Sequence, residues 1–209
     1  MVSALLAHKS DRREESKALD AGHADNNGET PLMKAASKGN PGVVEELLRR
    51  EDVQRTVGAQ SSAYKWTALH SAANRCSFAV VERLLQADVI RWGLDVNARD
   101  YSGQTALMLA VRNGDEQSVR LMMGYKVVRL DIADDAGHNA VKHALEMKNE
   151  TIMRVLILEW LARSGVDLGT LSESRQLVLC LAESDGTVAA TPEVLLLLHS
   201  VRQLFSYPK

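Results

Sequence analysis

A short apolar pattern with helical spacing recurs four times along the 209-residue chain, and each copy opens on a good helix-capping residue. The four opening residues are Thr30, Thr67, Thr105 and Asn139, separated by 37, 38 and 34 residues. A side-chain oxygen at such a position accepts a hydrogen bond from the unpaired N–H groups of the first helical turn. In the third copy, Gly114 follows the apolar run and suits the left-handed conformation that ends a helix.

Each copy is followed by a second apolar stripe whose positions i, i+1, i+4 and i+5 form one helix face. The stripes lie within residues 43–48, 80–85, 119–123 and 152–157. Helices this short are marginal on their own, so neighbouring helices must hold them in place. The sequence therefore predicts four units, each with a turn, an inner helix, a second turn and an outer helix.

The residue pattern of these units resembles that of the ankyrin-repeat family. Residues 30–36 (TPLMKAA), with Gly39 and residues 43–48 (VVEELL), look like one repeat, and residues 93–107 (GLDVNARDYSGQTAL) look like the start of another. The resemblance runs over about residues 25–168. It implies an all-α ankyrin-repeat solenoid of stacked antiparallel helix pairs with β-hairpin or loop fingers. It also implies a role in binding another protein, with no chemistry of its own.

Some positions depart from the family pattern. The family period is about 33 residues, and the excess here falls near residues 51–62, 86–93 and 124–130. The first of these links is polar and rich in Ser and Gln, which predicts a surface loop. Lys65 stands where the finger glycine belongs, and Cys76 stands where a helix-ending glycine is expected. We therefore expect a distorted hairpin and a distorted helix end in the second repeat.

The repeat pattern predicts one domain with divergent ends. Its parts are an N-terminal cap (1–24), repeat 1 (25–62), repeat 2 (63–98), repeat 3 (99–133), repeat 4 (134–168) and a C-terminal cap (169–209). A terminal repeat needs a polar outer face, and the charged residues 11–19 suit a capping helix, with a disordered tail as the alternative. Residues 192–205 are unusually apolar for a closing helix. They either bury against repeat 4 or form a face for self-association or a partner.

Composition narrows the classes of partner and compartment. Apolar residues make up 45% and charged residues 25% of the chain, with a net charge of −2. That balance gives no general attraction for nucleic acid or for anionic membranes. The chain also lacks the run of about 20 apolar residues that a membrane span needs. Cys76 and Cys180 lie in apolar helical patterns and are expected in the core, so an intracellular, cytoplasmic location fits, with the nucleus also open.

The sequence contains no arrangement of residues that points to catalysis. Six histidines are scattered along the chain, and His138 and His143 are five residues apart, which does not place them on one helix face for metal ligation. His70 and Ser71 are adjacent on one helix and do not face each other. No glycine-rich phosphate loop follows a strand. We therefore expect no catalytic residues, no cofactor and no bound metal.

The resemblance also indicates where a partner would bind, because its variable positions flank the finger glycine and end the inner helix. In this chain the candidate partner-binding residues are Asn27, Glu29, Lys38, Tyr64, Trp66, Arg75, Arg99, Tyr101, Gln104, Arg112, Asn113, Asp135 and His138. Tyr, Trp and Arg are the residue types that dominate binding energy at interfaces. In the alternative interpretation, Tyr64 and Trp66 only pack the finger that lacks glycine.

Charge along these positions suggests the kind of partner. The candidate surface is basic in its middle, at Arg75, Arg99 and Arg112, and acidic towards residues 134, 135 and 146. A partner with an acidic segment over repeats 2 and 3 would complement it. The main hypothesis is a monomeric, non-enzymatic adaptor that binds a protein through the concave finger and inner-helix surface. The alternative is an assembly subunit that docks or self-associates through the apolar helix 192–205.

Overall fold

Short capped helices arranged in pairs make up the part of the chain that can be described. The structure is a computed structural model, and it describes residues 21–86 and 90–164. The chain divides into two units, Met1–Asp95 and Val96–Lys209. The predicted all-α class with paired helices is confirmed.

The first unit contains repeats 1 and 2. Its described residues include the helices α1 (Pro31–Lys38), α2 (Pro41–Leu48), α3 (Glu51–Gln54), α4 (Ala68–Asn74) and α5 (Phe78–Leu84). The inner helices α1 and α4 pack on each other, and each also packs on its own outer helix, α2 or α5. The outer helices α2 and α5 pack together as well, so two helix pairs share one core.

The second unit contains repeats 3 and 4 and repeats this arrangement. The helices among its described residues are α6 (Ala106–Arg112), α7 (Glu116–Met123), α8 (Ala140–Glu146) and α9 (Glu150–Ser164). The inner helices α6 and α8 pack on each other, the outer helices α7 and α9 do the same, and each inner helix packs on its outer partner. Ala110 and Ala144 are fully buried between these elements, where small side chains allow close approach.

The predicted cap residues begin all four inner helices. Thr30 accepts a hydrogen bond from the backbone N–H of Met33, and Asn139 accepts one from Lys142. The caps at Thr67 and Thr105 make the same contact three residues along. Each of these caps satisfies one N–H of a first helical turn that has no partner within the helix.

The apolar stripes fill the core except in α2. The stripe side chains of α5, α7 and α9 are all buried, and so are Val44 and Leu48 of α2, whereas Leu47 is half-buried. Val43 was predicted to belong to the buried face, but its side chain is 45% exposed. Outer helix α2 therefore buries a narrower stripe than its sequence pattern suggested.

The polar link of residues 51–62 corrects the prediction of a simple surface loop. Its start forms the single-turn helix α3, which packs on α2. Val53 and Val57 are each only 1% exposed. Two valines among polar neighbours anchor this link to the core of the first unit, and the hydrophilic composition of the segment concealed them.

The fingers are turns rather than extended strands in the residues described. Pairing of the β type is limited there to one isolated bridge between Ala133 and Asn139. The finger of repeat 2 is irregular, as predicted, because Ser61 donates its N–H to the carbonyl of Trp66, five residues on. The other three fingers close over four residues, so this one holds an extra residue.

The predicted distortion of the helix end in repeat 2 does not appear. Cys76 takes a positive φ of 56°, close to the 67° and 70° of Gly39 and Gly114 after the corresponding helices. Lys65 in the finger also has a φ of 56°. The backbone at Lys65 and Cys76 keeps the left-handed conformation that suits glycine. This conformation is strained for residues that have a Cβ atom.

Arg163, near the end of α9, satisfies backbone groups in the segment that follows α7. Its guanidinium donates to the carbonyl oxygens of Met123, Tyr125 and Val128, and it also pairs with Glu159. These contacts give the link between repeats 3 and 4 a fixed path within the second unit.

Several predicted features lie outside the described residues. These are residues 1–20 of the predicted N-terminal cap, the C-terminal cap 169–209 and the apolar helix 192–205. In the part of the chain that the structure does describe, no helix combines the length and the apolar character needed to cross a bilayer.

We predict that replacing Cys76 by glycine stabilises the protein. A non-glycine residue in the left-handed region destabilises the folded state by about 1–2 kcal/mol, and glycine removes that strain. The greater freedom of glycine in the unfolded chain offsets about 0.4–1 kcal/mol of this stabilisation. Urea denaturation followed by circular dichroism should show Cys76→Gly more stable by about 0.5–1 kcal/mol, the difference between these two effects. Cys76→Ala, which keeps a Cβ, should show no such gain in stability. An equal gain in both variants would show that backbone strain is not the cause.

Candidate functional site

One side-chain oxygen closes each of the three regular fingers. Asp25 Oδ1 accepts hydrogen bonds from the backbone N–H groups of Asn27 and Glu29, both at 2.9 Å. The equivalent acceptors are Asp100, with Ser102 and Gln104, and Asp134, with Ala136 and His138. This closure fixes the backbone of residues whose side chains form the candidate surface.

The carboxylate that closes the first finger also pairs with the inner helix. Lys34 Nζ of α1 lies 2.6 Å from Asp25 Oδ2. This ion pair and the backbone hydrogen bonds lower the pKa of Asp25 below its usual value, the Lys34 contact being the largest cause. The finger of repeat 1 is therefore tied to the helix behind it.

Repeat 2 places an aromatic pair on its finger. The rings of Tyr64 and Trp66 have their centroids 5.5 Å apart, and Tyr64 is 60% exposed while Trp66 is half-buried. The finger closes through the backbone of Trp66, whose N–H donates to Ser61 Oγ and whose carbonyl accepts from Ser61. The indole ring does not take part in those hydrogen bonds.

Neighbouring fingers are joined within each unit by one backbone hydrogen bond. In the first unit, Ser62 donates its N–H to the carbonyl of Asn27, at 2.8 Å. In the second unit, Asp135 donates to the carbonyl of Ser102, at 3.0 Å. The side chains of adjacent fingers are therefore held in a fixed register inside each unit.

A basic pair lies at the other end of the inner helices in the first unit. Lys38 ends α1 and Arg75 follows α4, and both side chains are exposed. A Cβ placed on Gly39 would lie 3.4 Å from Arg75 Cγ, so Arg75 lies beside the end of α1. Both cations are thus next to the C-terminal ends of short inner helices.

In the second unit, Arg99 is paired rather than available as a simple positive charge. Its Nη2 lies 2.9 Å from Asp135 Oδ1, and its Nε donates to the carbonyl of Gly103. The sequence predicted a basic middle and a separate acidic end on this surface. The structure instead joins one member of each group in an ion pair across two fingers.

Arg112 connects the end of α6 to the finger of the same repeat. Its Nη1 donates to Gln104 Oε1 at 2.7 Å, and the neighbouring Asn113 is exposed. Tyr101, at the tip of this finger, is 58% exposed. The hydrogen bond between Arg112 and Gln104 therefore ties the helix end to the finger, while Tyr101 and Asn113 are exposed in the same repeat.

Repeat 4 brings together ionisable groups that the sequence analysis treated as separate. His143 Nε2 of α8 lies 2.9 Å from Asp134 Oδ2, and both side chains are buried. The ring of His138 lies edge-on to His143, and its Nδ1 is 3.2 Å from Glu146 Oε1. One potential ligand atom from each of Asp134, His138 and His143 lies within 4.8 Å of the other two.

The spacing argument overlooked this cluster because it tested for a shared helix face. His138 belongs to the finger and His143 to α8, as the sequence indicated, but the finger folds back over the helix. The detectable signal was register: Lys34 and His143 both lie four residues after their cap. Burial is the largest single influence and by itself would raise the pKa of Asp134. The hydrogen bonds with the His138 N–H and the His143 ring together outweigh it, so the pKa lies below its usual value.

All thirteen predicted partner-binding residues have side chains that reach the surface to some extent. Those that are exposed are Asn27, Lys38, Tyr64, Arg75, Arg99, Tyr101, Arg112, Asn113 and Asp135. Those that are half-buried are Glu29, Trp66, Gln104 and His138. Cys76 was expected in the core and is exposed instead, because it occupies the turn after α4 and not the helix.

Comparison with known proteins finds similarity along most of the chain. The sequence profile of a family described as ankyrin repeats (3 copies) matches residues 1–100 and 88–170. Alpha-latrotoxin-Lg1a of Latrodectus geometricus is 36% identical over 102 residues, which cover 48% of this chain and 7% of the toxin.

Two further relatives come from mammals. The human transient receptor potential cation channel subfamily A member 1 is 34% identical over 133 residues, 64% of this chain and 11% of the channel. The mouse B-cell lymphoma 3 protein homolog is 29% identical over 135 residues, 62% of this chain and 28% of that protein. The chain therefore spans less than a third of each of these relatives.

We predict that Gly103→Ala disrupts the contact between the fingers of repeats 3 and 4. Gly103 has a φ of 75°, and an added Cβ would collide with the Arg99 guanidinium and lie 2.8 Å from Asp135 N. Strain and steric overlap together should lower the free energy of unfolding by about 2 kcal/mol or more. Urea denaturation measures the change.

The matched control is Gly42→Ala in α2, where an added Cβ would meet only Asn40 Oδ1, at 3.7 Å. That substitution should be neutral or stabilising, by up to about 1 kcal/mol, because alanine favours helices over glycine. Equal effects of the two substitutions would contradict the close finger contact at Gly103.

Proposed function

Because this chain belongs to the ankyrin-repeat family, whose repeats generally act as protein–protein interaction modules, we propose that it binds another protein through its finger side chains and inner-helix ends. Ankyrin-repeat domains are typically non-catalytic, and a non-enzymatic role is part of this proposal. The relatives named above match this chain over 7%, 11% and 28% of their own lengths, so their activities are not assigned to it.

The aromatic pair of exposed Tyr64 and half-buried Trp66 is the observation that supports binding most strongly. Aromatic side chains supply large contact areas at small entropic cost, and Tyr and Trp are enriched among the residues that dominate interface energy. The finger closes through backbone groups and the Ser61 hydroxyl, and the Tyr64 ring lies against the Trp66 ring at the surface of this finger. A purely structural role for these rings would not require Tyr64 to be 60% exposed.

The charges of the candidate surface support a partner with an acidic segment. The basic area is smaller than the sequence suggested. Arg99 is offset by Asp135, so its contribution to a positive surface is reduced. Lys38 and Arg75 are both exposed at the inner-helix ends of the first unit, where Arg75 lies against Gly39, the residue after Lys38. We place the acidic part of the partner against these two cations, and its apolar part against Tyr64 and Trp66.

An intracellular location is also part of the proposal. It rests on cysteine usage, because the chain has two cysteines that lie 104 residues apart in sequence, too few for a disulfide framework. Small secreted proteins are commonly built on several disulfides, whereas proteins of reducing compartments do without them.

The double variant Tyr64→Ser, Trp66→Ser tests the proposal. A photo-crosslinking amino acid at the exposed Asn27, in the neighbouring finger of repeat 1, would first identify partners in cell extract, and affinities are then measured with each purified partner. The double variant should bind at least about 30-fold more weakly, since hot-spot residues contribute about 2 kcal/mol or more. Circular dichroism checks that it remains folded.

Trp92→Ser is the matched control, because Trp92 is 37% exposed but does not lie on a finger. Its affinity should stay within about twofold of the unmodified chain, as expected for a side chain outside the interface. If the folded double variant binds every recovered partner with unchanged affinity, the aromatic pair is not the binding site.

A further inference from the structure

We propose that Asp134, His138 and His143 in repeat 4 form a binding site for a zinc-like divalent transition-metal ion. The three side chains come from two elements, since Asp134 and His138 lie in the finger and His143 lies on α8. Their potential ligand atoms all lie within 4.8 Å of one another. This proposal goes beyond protein binding and does not depend on it.

The distances are close to those of a tetrahedral site. Zinc–nitrogen and zinc–oxygen bonds of about 2.0–2.1 Å place two ligand atoms about 3.3 Å apart. His143 Nε2 and Asp134 Oδ2 are already 2.9 Å apart, so an ion can enter between them after a small separation. The ligand atoms lie within 4.8 Å of one another, so the half-buried His138 ring must move inwards for all three to reach one ion.

The surrounding hydrogen bonds prepare the ligands. Asp134 Oδ1 is occupied by the N–H groups of Ala136 and His138, which leaves Oδ2 directed at His143. Glu146 faces both rings, with one oxygen 3.2 Å from His138 Nδ1 and the other 3.7 Å from His143 Nδ1. In metal sites a ligating imidazole commonly donates its second N–H to a carboxylate of this kind.

The donor set selects the class of metal. Two imidazoles with one carboxylate suit zinc, cobalt, nickel or copper ions, whereas calcium and magnesium prefer oxygen ligands throughout. Glu146 lies close enough to orient the rings, and the three ligands leave a fourth position for water or another donor.

Repeat 1 shows what the same position does without this donor set. Lys34, four residues after its cap, pairs with Asp25 at 2.6 Å, just as His143 pairs with Asp134. A simple tie between finger and helix therefore requires only one basic side chain. The additional histidine in the finger of repeat 4 is the feature that such a tie does not explain.

Metal titration of the untagged 209-residue chain, freed of metal with a chelator, tests the site. Zn²⁺ binding is followed by calorimetry, and Co²⁺ binding by the visible absorption that marks tetrahedral coordination. One ion of either metal should bind per chain with the site intact. Loss of a residue that only hydrogen-bonds to a ligand typically weakens metal affinity by roughly 10–100-fold. Loss of a ligand itself should therefore weaken the affinity by at least about 100-fold.

Two variants remove a ligand while protecting the fold. His143→Lys recreates the ion pair that Lys34 and Asp25 make in repeat 1, and His138→Gln changes a half-buried finger side chain. Each should bind Zn²⁺ at least about 100-fold more weakly and lose the Co²⁺ spectrum, while His23→Gln, an exposed histidine in the first unit, should change nothing. The proposal is wrong if the unmodified chain binds neither ion, or if both ligand variants bind as tightly as it does.

Discussion

In three of the four repeats a single carboxylate oxygen accepts two backbone N–H groups and so closes the finger. Asp25, Asp100 and Asp134 each do this with the residues two and four positions on. Hydrogen bonds to a charged acceptor are among the stronger ones that proteins make. The closure sets the backbone conformation just before the helix cap, and with it the direction of the side chains that form the candidate binding surface.

Repeats 1 and 4 extend this constraint from the finger to the helix behind it. The second carboxylate oxygen of Asp25 takes Lys34, and that of Asp134 takes His143. Repeat 2 lacks the carboxylate and closes through the hydroxyl of Ser61, with one more residue in the turn. Its finger is also the one that carries the aromatic pair, so the least regular finger holds two neighbouring aromatic side chains.

Much of the fold could be predicted from local signals, because caps and apolar stripes report on the helix that contains them. Thr30, Thr67, Thr105 and Asn139 therefore marked all four inner helices correctly. Features that depend on contacts between elements could not be predicted in this way. Val53 is buried within a polar link, and His138 meets His143 only after the finger folds over α8. The pairing of Arg99 with Asp135 likewise joins residues 36 positions apart and changes the charge pattern that the sequence suggested.

Hydrogen exchange of the finger amides, followed by NMR, tests the closure most directly. The backbone N–H groups of Glu29, Gln104 and His138 each donate to a carboxylate within their own finger. They should exchange at least about tenfold more slowly than the same residues in an unstructured chain, as expected for amides that exchange only when the finger opens. Exchange of these three amides at unstructured rates, while the inner-helix amides stay protected, would contradict the closed fingers on which the proposed binding surface depends.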